Sequence, residues 1–179
     1  MSSATAPNPA HEHRFERTLA WMRGSLPPPA RLLDVGGDNA FARRMRAAGY
    51  DVANTDGDLD DHPEAAAVEA DAATAFEIFE HLVNPLGVLR AIRAPRLFVS
   101  VPMRLWFAPA YRNPRDPWDR HYHEFEPWQF DWLLEKGGWQ IVRREQWTPK
   151  RDGLPLGIRP LLRTVTPRWY VVEAVRREV

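Results

Sequence analysis

The spacing of apolar positions along the chain changes repeatedly between a strand pattern and a helix pattern. Short apolar runs bounded by turn residues predict strands at 32–35, 50–56, 71–77, 96–102, 139–145 and 165–175. Apolar residues three or four positions apart predict helices at 15–24, 41–48, 85–92 and 127–136, and two helical turns at 63–70. Strands and helices alternate early, and two strands end the chain. This order predicts an α/β protein with a doubly wound, mostly parallel sheet and an antiparallel C-terminal strand.

Length and composition favour one globular domain. The chain has 179 residues, of which 44% are hydrophobic and 27% charged, and a chain of this length can bury a substantial core. Residues 1–9 are small, polar and proline-containing, which predicts a disordered tail, and residues 10–179 are predicted to form the single domain. The aromatic residues Trp132 and Trp139 are predicted to lie in its core.

Charge and cysteine content argue against several classes of function. Basic and acidic residues number 24 each, so no net field attracts nucleic acid or a membrane surface. Without cysteine there are neither disulfides nor thiolate metal sites, which fits a reducing compartment. The N-terminus shows no long apolar run of the kind found in signal peptides and membrane spans, and we therefore expect a cytoplasmic protein.

The segment 31–41 carries the strongest local signal for a ligand site. An apolar strand ends in Asp34, the pair Gly36 and Gly37 follows, and a helical pattern starts near Phe41. The glycines allow a sharp turn and a close approach of the backbone to a ligand at the free N–H groups of the helix. An ordinary strand-to-helix turn explains the same residues. The strict pattern G-x-G-x-x-G is absent, so nicotinamide or flavin binding has no support.

Several motifs in the right order make the chain resemble class I S-adenosylmethionine-dependent methyltransferases over residues 31 to about 147. The family's D/E-x-G-x-G-x-G motif corresponds to residues 34–40, and the acid that ends its second strand corresponds to Asp56. The segment 74–85 is somewhat similar to the F-x-E-x-x-E-H signature of the ubiquinone-pathway O-methyltransferases. The predicted strand 98–102 and the later His-x-x-Phe and Gly-Gly-Trp sequences complete the order.

The resemblance implies a Rossmann-like fold, S-adenosylmethionine as the cofactor, and a set of cofactor-binding residues. By their positions in the motifs these residues are Asp34, Gly36, Gly37, Asp56, Phe76 and Glu77. Asp56 is expected to bind both ribose hydroxyls, because one carboxylate can accept two hydrogen bonds. A loop acid that only caps a turn is the alternative for Asp56.

The chain departs from the family pattern in two places. Asp38 and Ala40 stand where the second and third motif glycines usually occur, and the charge of Asp38 is expected to cap the helix and occupy its N–H groups. The segment 57–70 is too short for the helix, strand and helix that the family usually has there. We therefore predict that the third strand, at the sheet edge, is missing and that the adenine pocket is open, which would weaken cofactor binding.

Glu77, Glu80, His81 and His123 form a candidate metal-binding and catalytic group. One helical turn brings the first three within reach of a common point. In the ubiquinone-pathway O-methyltransferases and the small-RNA 2′-O-methyltransferases a similar E-x-x-E-H sequence binds a divalent metal, and the RNA enzymes add a later histidine that His123 matches. Two carboxylates and two imidazoles suit Mg²⁺, Mn²⁺ or Zn²⁺. Without a metal, His81 or His123 is the candidate general base, and a structural role for each histidine is the alternative.

Aromatic residues crowd the predicted loop 103–126, which follows the strand at 96–102. In the family such a segment helps to build the acceptor pocket, so we expect a lid in which Trp106, Tyr111 and Trp118 enclose a flat or apolar small molecule. The same segment contains arginines that could bind an acidic group or form a solvated rim: Arg104, Arg112, Arg115 and Arg120.

The favoured hypothesis is an enzyme that moves a methyl group from S-adenosylmethionine to oxygen or nitrogen of a small molecule. The competing hypothesis is a non-catalytic binding protein whose cofactor site is lost or weakened, which Asp38 and the short 57–70 segment favour. RNA ribose methylation is a third hypothesis that rests on the metal-like group alone, and zero net charge and small size count against it. Residues 153–168 are assigned no function.

Overall fold

The computed structural model describes residues 9–149 and 157–177. Its strands are β1 (Arg31–Asp34), β2 (Asp51–Asn54), β3 (Ala72–Phe76), β4 (Arg96–Pro102), β5 (Trp139–Trp147) and β6 (Trp169–Arg176). Its helices are α1 (Pro9–Arg23), α2 (Ala40–Ala47), α3 (Pro85–Ala91), α4 (Pro127–Lys136) and α5 (Ile158–Val165). The tail predicted at 1–9 lies outside the described residues except for Pro9, where α1 begins.

All six strands belong to one sheet with the order β2-β1-β3-β4-β6-β5. The first four run parallel, and β6 lies antiparallel between β4 and β5. The predicted α/β sheet with an antiparallel C-terminal strand is therefore confirmed. Every residue between β2 and β3 is described, and the segment contains a single 3-10 helix, Pro63–Ala66, and no strand. The predicted absence of the third strand is confirmed as well.

Helices cover both faces of the sheet because successive strand residues point to opposite sides. The core beneath α1 and α2 includes Met22, Leu32, Met45 and Phe98. The core beneath α3 and α4 includes Leu33, Leu89, Val99 and Phe130. Since β1, β3 and β4 run parallel, their carboxyl ends meet at one edge, where open α/β sheets bind their ligands. In the part of the chain that is described, no helix is long and apolar enough to cross a membrane.

The structure corrects three expectations outside the sheet core. Helix α5 was not expected, since the segment around it was assigned as a loop and a strand from residue 165. Only the first half of the two turns expected at 63–70 is helical. Trp139 is buried as predicted, but Trp132 is 65% exposed on the outer face of α4, where its ring lies 4.8 Å from that of Trp128. Residues 150–156, part of the predicted connection, lie outside the described chain.

A buried carboxylate joins the antiparallel part of the sheet. Glu173 of β6 is 2% exposed and forms ion pairs with Arg96 of β4 and Arg143 of β5, the latter at 3.0 Å. Its second carboxylate oxygen also accepts a hydrogen bond from the hydroxyl of Ser25, just after α1, at 2.7 Å. A buried charge requires such partners because its desolvation costs several kcal/mol. Glu173 therefore links three strands and the loop that follows the first helix.

Replacing Glu173 by alanine should destabilise the fold, because both guanidinium groups lose their buried partner. We expect the free energy of unfolding to fall by about 3 kcal/mol in urea denaturation. The exposed Glu135 of α4 offers a matched control, and Glu135→Ala should change stability by less than about 0.5 kcal/mol. Equal effects of the two substitutions would show that the buried ion pairs contribute nothing net.

Candidate functional site

A buried carboxylate at the end of β1 organises the ligand edge of the sheet. Asp34 is 3% exposed and accepts hydrogen bonds from the hydroxyl of Thr74 at 2.6 Å and from the side-chain amides of Asn39 and Asn54 at 3.0 and 3.1 Å. These donors come from β3, the start of α2 and the end of β2. Burial raises the pKa of Asp34 to about 6, although the three hydrogen bonds act to lower it. Asp34 thus fixes three elements around one point.

The glycine turn after β1 follows from this arrangement. Gly36 has φ +115°, and a Cβ atom there would lie 3.0 Å from the Cδ1 atom of Ile78, so the turn requires glycine at this position. The Gly36 N–H donates to the hydroxyl of Thr55 at 2.7 Å. A Cβ atom at Gly37 would have no described atom within 4 Å, so the backbone there is open to a ligand. Gly36 is therefore held in place by its neighbours, whereas Gly37 is accessible to a ligand.

Asp38 does not cap α2, contrary to the expectation from sequence. The cap is Asn39, whose side-chain oxygen accepts from the N–H groups of Phe41 and Ala42 at 2.8 and 2.9 Å. The carboxylate of Asp38 instead pairs with Arg43 and Arg46 at 2.5 and 2.6 Å, and these guanidinium groups lower its pKa. The charge of Asp38 is thereby held away from the ligand side of the glycine turn.

Two cavities open at this edge of the sheet. The inner cavity, about 340 Å³, lies beneath α1 and is lined by Arg14, Phe15, Asp34, Phe76, Glu77 and Trp169, among others. The outer cavity, about 610 Å³, is lined by Gly36, Gly37, Asp58, Ile78, His81 and Trp118, among others. Glu77 and Ile78 line both cavities, so the two meet at the carboxyl end of β3.

The predicted cofactor residues thus fall around two adjoining cavities. Asp34, Phe76 and Glu77 line the inner one, and Gly36 and Gly37 line the outer one. Asp56 lines neither cavity: it is exposed two residues after the end of β2, and its carboxylate accepts a hydrogen bond at 2.9 Å from the N–H of Gly57, which lines the outer cavity.

Glu77 occupies the junction in a strained backbone conformation. Its φ of 58° lies in the left-handed region, and among the described residues it is the one non-glycine with a positive φ. Its carboxylate accepts from the hydroxyl of Ser100 at 2.8 Å and pairs with Arg14 at 3.3 Å. Burial raises the pKa of Glu77, and the positive charges of Arg14 and Arg168 act in the opposite direction. Such strain persists where the surrounding structure fixes a functional side chain.

The candidate metal group has a different membership from the one predicted. Ligand atoms of Glu80, His81 and His121 lie within 4.8 Å of one another. The rings of His81 and His121 contact each other edge to face, with centroids 4.7 Å apart. Glu80 is 1% exposed, its Oε2 atom has no hydrogen-bond partner, and burial and the charge of Glu77 raise its pKa well above the usual range. The group is therefore a buried acid beside two imidazoles.

The structure places His123 and Glu77 outside this group. The Nε2 atom of His123 lies 3.4 Å from the carbonyl oxygen of Val83, and its ring stacks on Phe125. The N–H groups of Tyr122 and His123 both donate to the carbonyl of Glu80. These bonds hold the loop so that His121, rather than His123, faces Glu80 and His81. Of the two predicted catalytic residues, His81 lines the outer cavity and His123 lines neither cavity. His121, and not His123, has a ligand atom within 4.8 Å of those of Glu80 and His81.

The predicted lid is only partly assembled over the site. Trp118 lines the outer cavity and remains 72% exposed, whereas Trp106 is 77% exposed and contacts Phe107. Tyr111 packs on the ring of His121 at 4.4 Å and donates to Asp119 at 2.5 Å. Of the three predicted lid residues, only Trp118 therefore lines one of the two cavities, and Tyr111 packs on His121 instead.

Sequence reasoning missed Arg14 and Trp169 as site residues. Both line the inner cavity, and the guanidinium of Arg14 lies 5.4 Å from the centre of the Trp169 ring. Arg14 belongs to α1, which precedes the first family motif. Trp169 is the first residue of β6, which follows the last family motif. Neither position has a motif that could have identified it.

The fold and the site define a class I methyltransferase arrangement, and comparison with known proteins agrees. The sequence model of a methyltransferase domain matches residues 10–144. This match covers most of the chain, and the protein therefore belongs to the S-adenosylmethionine-dependent methyltransferases of class I fold. No curated protein sequence matches the chain. The comparisons do not single out the ubiquinone-pathway enzymes.

Solved structures share the fold at low sequence identity. A methyltransferase structure from Haloferax volcanii, determined as a complex with the Trm112 methyltransferase activator, superposes with a TM-score of 0.65 at 13% identity, over 94% of this chain and 92% of that one. A structure described as an S-adenosylmethionine-dependent methyltransferase from Listeria monocytogenes gives 0.64 at 13% identity, over 94% and 97%. The N-methyltransferase NodS from Bradyrhizobium japonicum, in complex with S-adenosyl-L-homocysteine, gives 0.62 at 12% identity, over 97% and 90%.

The raised pKa of Asp34 gives stability a specific pH dependence. Because the folded protein holds this proton more tightly than the unfolded chain, Asp34 favours folding most at low pH and loses that effect as pH rises through about 6. We compare wild type with Asp34→Asn, in which this group cannot titrate. Between about pH 4 and about pH 7, the unfolding free energy of wild type minus that of Asp34→Asn should fall by about 2.4 kcal/mol.

Asp38→Asn is the matched control for this measurement. The pKa of Asp38 is lowered in the folded protein, so its contribution to stability is lost as pH falls, which is the opposite direction. Denaturant unfolding over the pH range measures both differences. If the difference in unfolding free energy between wild type and Asp34→Asn does not change with pH, the pKa of Asp34 is not raised in the folded protein.

Proposed function

We propose that this protein transfers a methyl group from S-adenosylmethionine to an oxygen or nitrogen atom of a small molecule. The observation that carries the proposal is the junction of the two cavities at Glu77 and Ile78, directly beside the glycine turn. One elongated ligand with a polar, charged end and a nucleoside end would extend through this junction. S-adenosylmethionine has that shape and those groups.

The charges of the inner cavity suit the methionine end of the cofactor. Its ammonium group would face the carboxylate of Glu77, and its carboxylate would face the guanidinium of Arg14. These two side chains already pair with each other at 3.3 Å, so each one is oriented before the ligand binds. A positively charged ligand also offsets the cost of ionising buried carboxylates whose pKa is raised.

The outer cavity suits the adenosine end. Gly36 and Gly37 offer a backbone that a ligand can approach closely, and the loop 57–60 lines the side where the third strand is absent. Asp56, directly before this loop, would accept hydrogen bonds from the two ribose hydroxyls. The cavity is broad, consistent with the open adenine pocket that the short 57–70 segment predicts.

Catalysis in this site would consist mainly of positioning. The sulfonium of the cofactor is already an activated methyl donor, so the protein has to hold the acceptor atom in line with the methyl group. His81, at the wall of the outer cavity, is the candidate general base for an acceptor hydroxyl or amine. Its Nδ1 atom lies 3.1 Å from the carbonyl oxygen of Arg120, which orients the ring and leaves Nε2 toward Glu80.

The residues of the Glu80 group also fit a divalent cation. An unpartnered, buried carboxylate oxygen beside two imidazoles is the donor set that Mn²⁺ or Zn²⁺ binds. Glu80, His81 and His121 would hold such an ion, whose chemistry is to lower the pKa of a bound hydroxyl. The comparisons do not support a metal, so the ion remains a proposal based on these three residues.

The cofactor site is tested by titration with S-adenosylhomocysteine in a calorimeter. We expect binding in the micromolar range and a loss of roughly tenfold or more in Asp56→Ala, because the ribose hydroxyls lose their acceptor. Asp51→Ala provides the matched control, since Asp51 is exposed at the start of β2, the strand that precedes Asp56, and should leave the affinity unchanged. Absence of binding by the folded wild-type protein would favour the non-catalytic alternative.

The metal group is tested by the pair His121→Ala and His123→Ala. We expect Mn²⁺ or Zn²⁺ to raise the thermal unfolding midpoint of wild type and of His123→Ala, but not that of His121→Ala, because only His121 belongs to the ligand group. A chelator should reverse the effect. If the metal response depends on His123, or if no metal raises the midpoint of wild type, the assigned ligand set is wrong.

A further inference from the structure

A third cavity, about 230 Å³, lies beside the histidine pair and has a basic lining. Three arginines from separate parts of the fold contribute to it. Arg104 follows β4, Arg163 belongs to α5, and Arg168 immediately precedes β6. The chain pairs β4 and β6 directly, and the N–H of Met103 donates to the carbonyl of Arg168 at 2.7 Å. The arginines at 104 and 168 are therefore brought together by the sheet itself.

The positive charge of this cavity is only partly balanced. Among the described residues none of the three guanidinium groups forms an ion pair, and the one carboxylate in the lining is that of Glu124. Glu124 already accepts a hydrogen bond from the N–H of Tyr111 at 2.7 Å. The lining therefore carries a net positive charge.

This cavity adjoins the proposed site of methyl transfer. His121 lines it and contacts the ring of His81, which in turn lines the outer cavity. The positive charge of Arg168 acts on the pKa of Glu77 at the cavity junction and on that of His121. A molecule with one end among the arginines would thus extend past the histidine pair toward the transferred methyl group.

We propose that the basic cavity binds an anionic group, a carboxylate or a phosphate, of the acceptor substrate. Guanidinium groups recognise both by paired hydrogen bonds, and three of them converging on one small cavity match the several oxygens of either anion. This inference rests on the proposed methyltransferase function, and it restricts the acceptor to small molecules that carry an acidic group at a distance from the methylated atom.

The test titrates inorganic phosphate and, separately, benzoate into the protein saturated with S-adenosylhomocysteine, at constant low ionic strength. We expect saturable, millimolar binding of at least one of them, and the tighter of the two identifies the kind of anion. Arg104→Gln and Arg163→Gln should each weaken it by roughly tenfold, because each removes a charged hydrogen-bond donor. Arg159→Gln, on the same helix α5 but outside the cavity lining, should change it by less than about twofold.

The affinity for S-adenosylhomocysteine, measured in the same variants, separates the two proposals. It should be unchanged by all three substitutions. If the cofactor product binds normally but no anion binds saturably, the anion cavity is overturned and the proposed function remains. The same conclusion follows if Arg159→Gln and Arg163→Gln weaken anion binding equally. Anion binding that depends on Arg104 and Arg163 in a protein with no affinity for S-adenosylhomocysteine supports the cavity and overturns the methyltransferase proposal.

Discussion

The ligand edge of this protein depends on the burial of one carboxylate, Asp34, among three hydrogen-bond donors. The side chain of Asn39 must donate to Asp34 and at the same time accept from the first N–H groups of α2. An amide can do both, whereas a carboxylate in its place could not donate. The cap of the helix, the turn and the strand end are therefore one hydrogen-bonded unit. The glycine turn is held by hydrogen bonds within the protein itself.

The loss of the third strand is compensated by side chains of the loop that replaces it. Leu59 is buried in the core against α3 and α4. The carboxylate of Asp60 accepts from the N–H groups of Val83 and Asn84 at 2.8 and 2.7 Å, which ties this loop to the start of α3. These contacts close the edge of the core, and the same loop lines one side of the outer cavity. A short loop thus replaces the third strand both in the packing of the core and in the lining of the outer cavity.

The sequence predicted what short-range patterns determine and missed what depends on packing. The strand, glycine turn and helix at Asp34 were predictable because they are contiguous and follow a family motif. The exchange of His123 for His121 was not, since alternate residues of a loop differ only in which side they face, and here the carbonyl of Glu80 decides it. Helix α5 has apolar residues at helical spacing, but Pro160 in its first turn, where proline is tolerated, made the segment resemble a loop.

The charges around the candidate site are arranged so that the proposed donor and acceptor meet charges of opposite sign. Two carboxylates, Asp34 and Glu77, line the inner cavity, and the arginines of the basic cavity lie beyond the histidine pair. In the proposed arrangement a cationic donor meets an anionic acceptor at His81. Methyl transfer removes the positive charge from the sulfur, so the product cofactor loses part of its attraction to the carboxylates. The same electrostatic pattern that assembles the reactants thereby weakens the hold on one of the products.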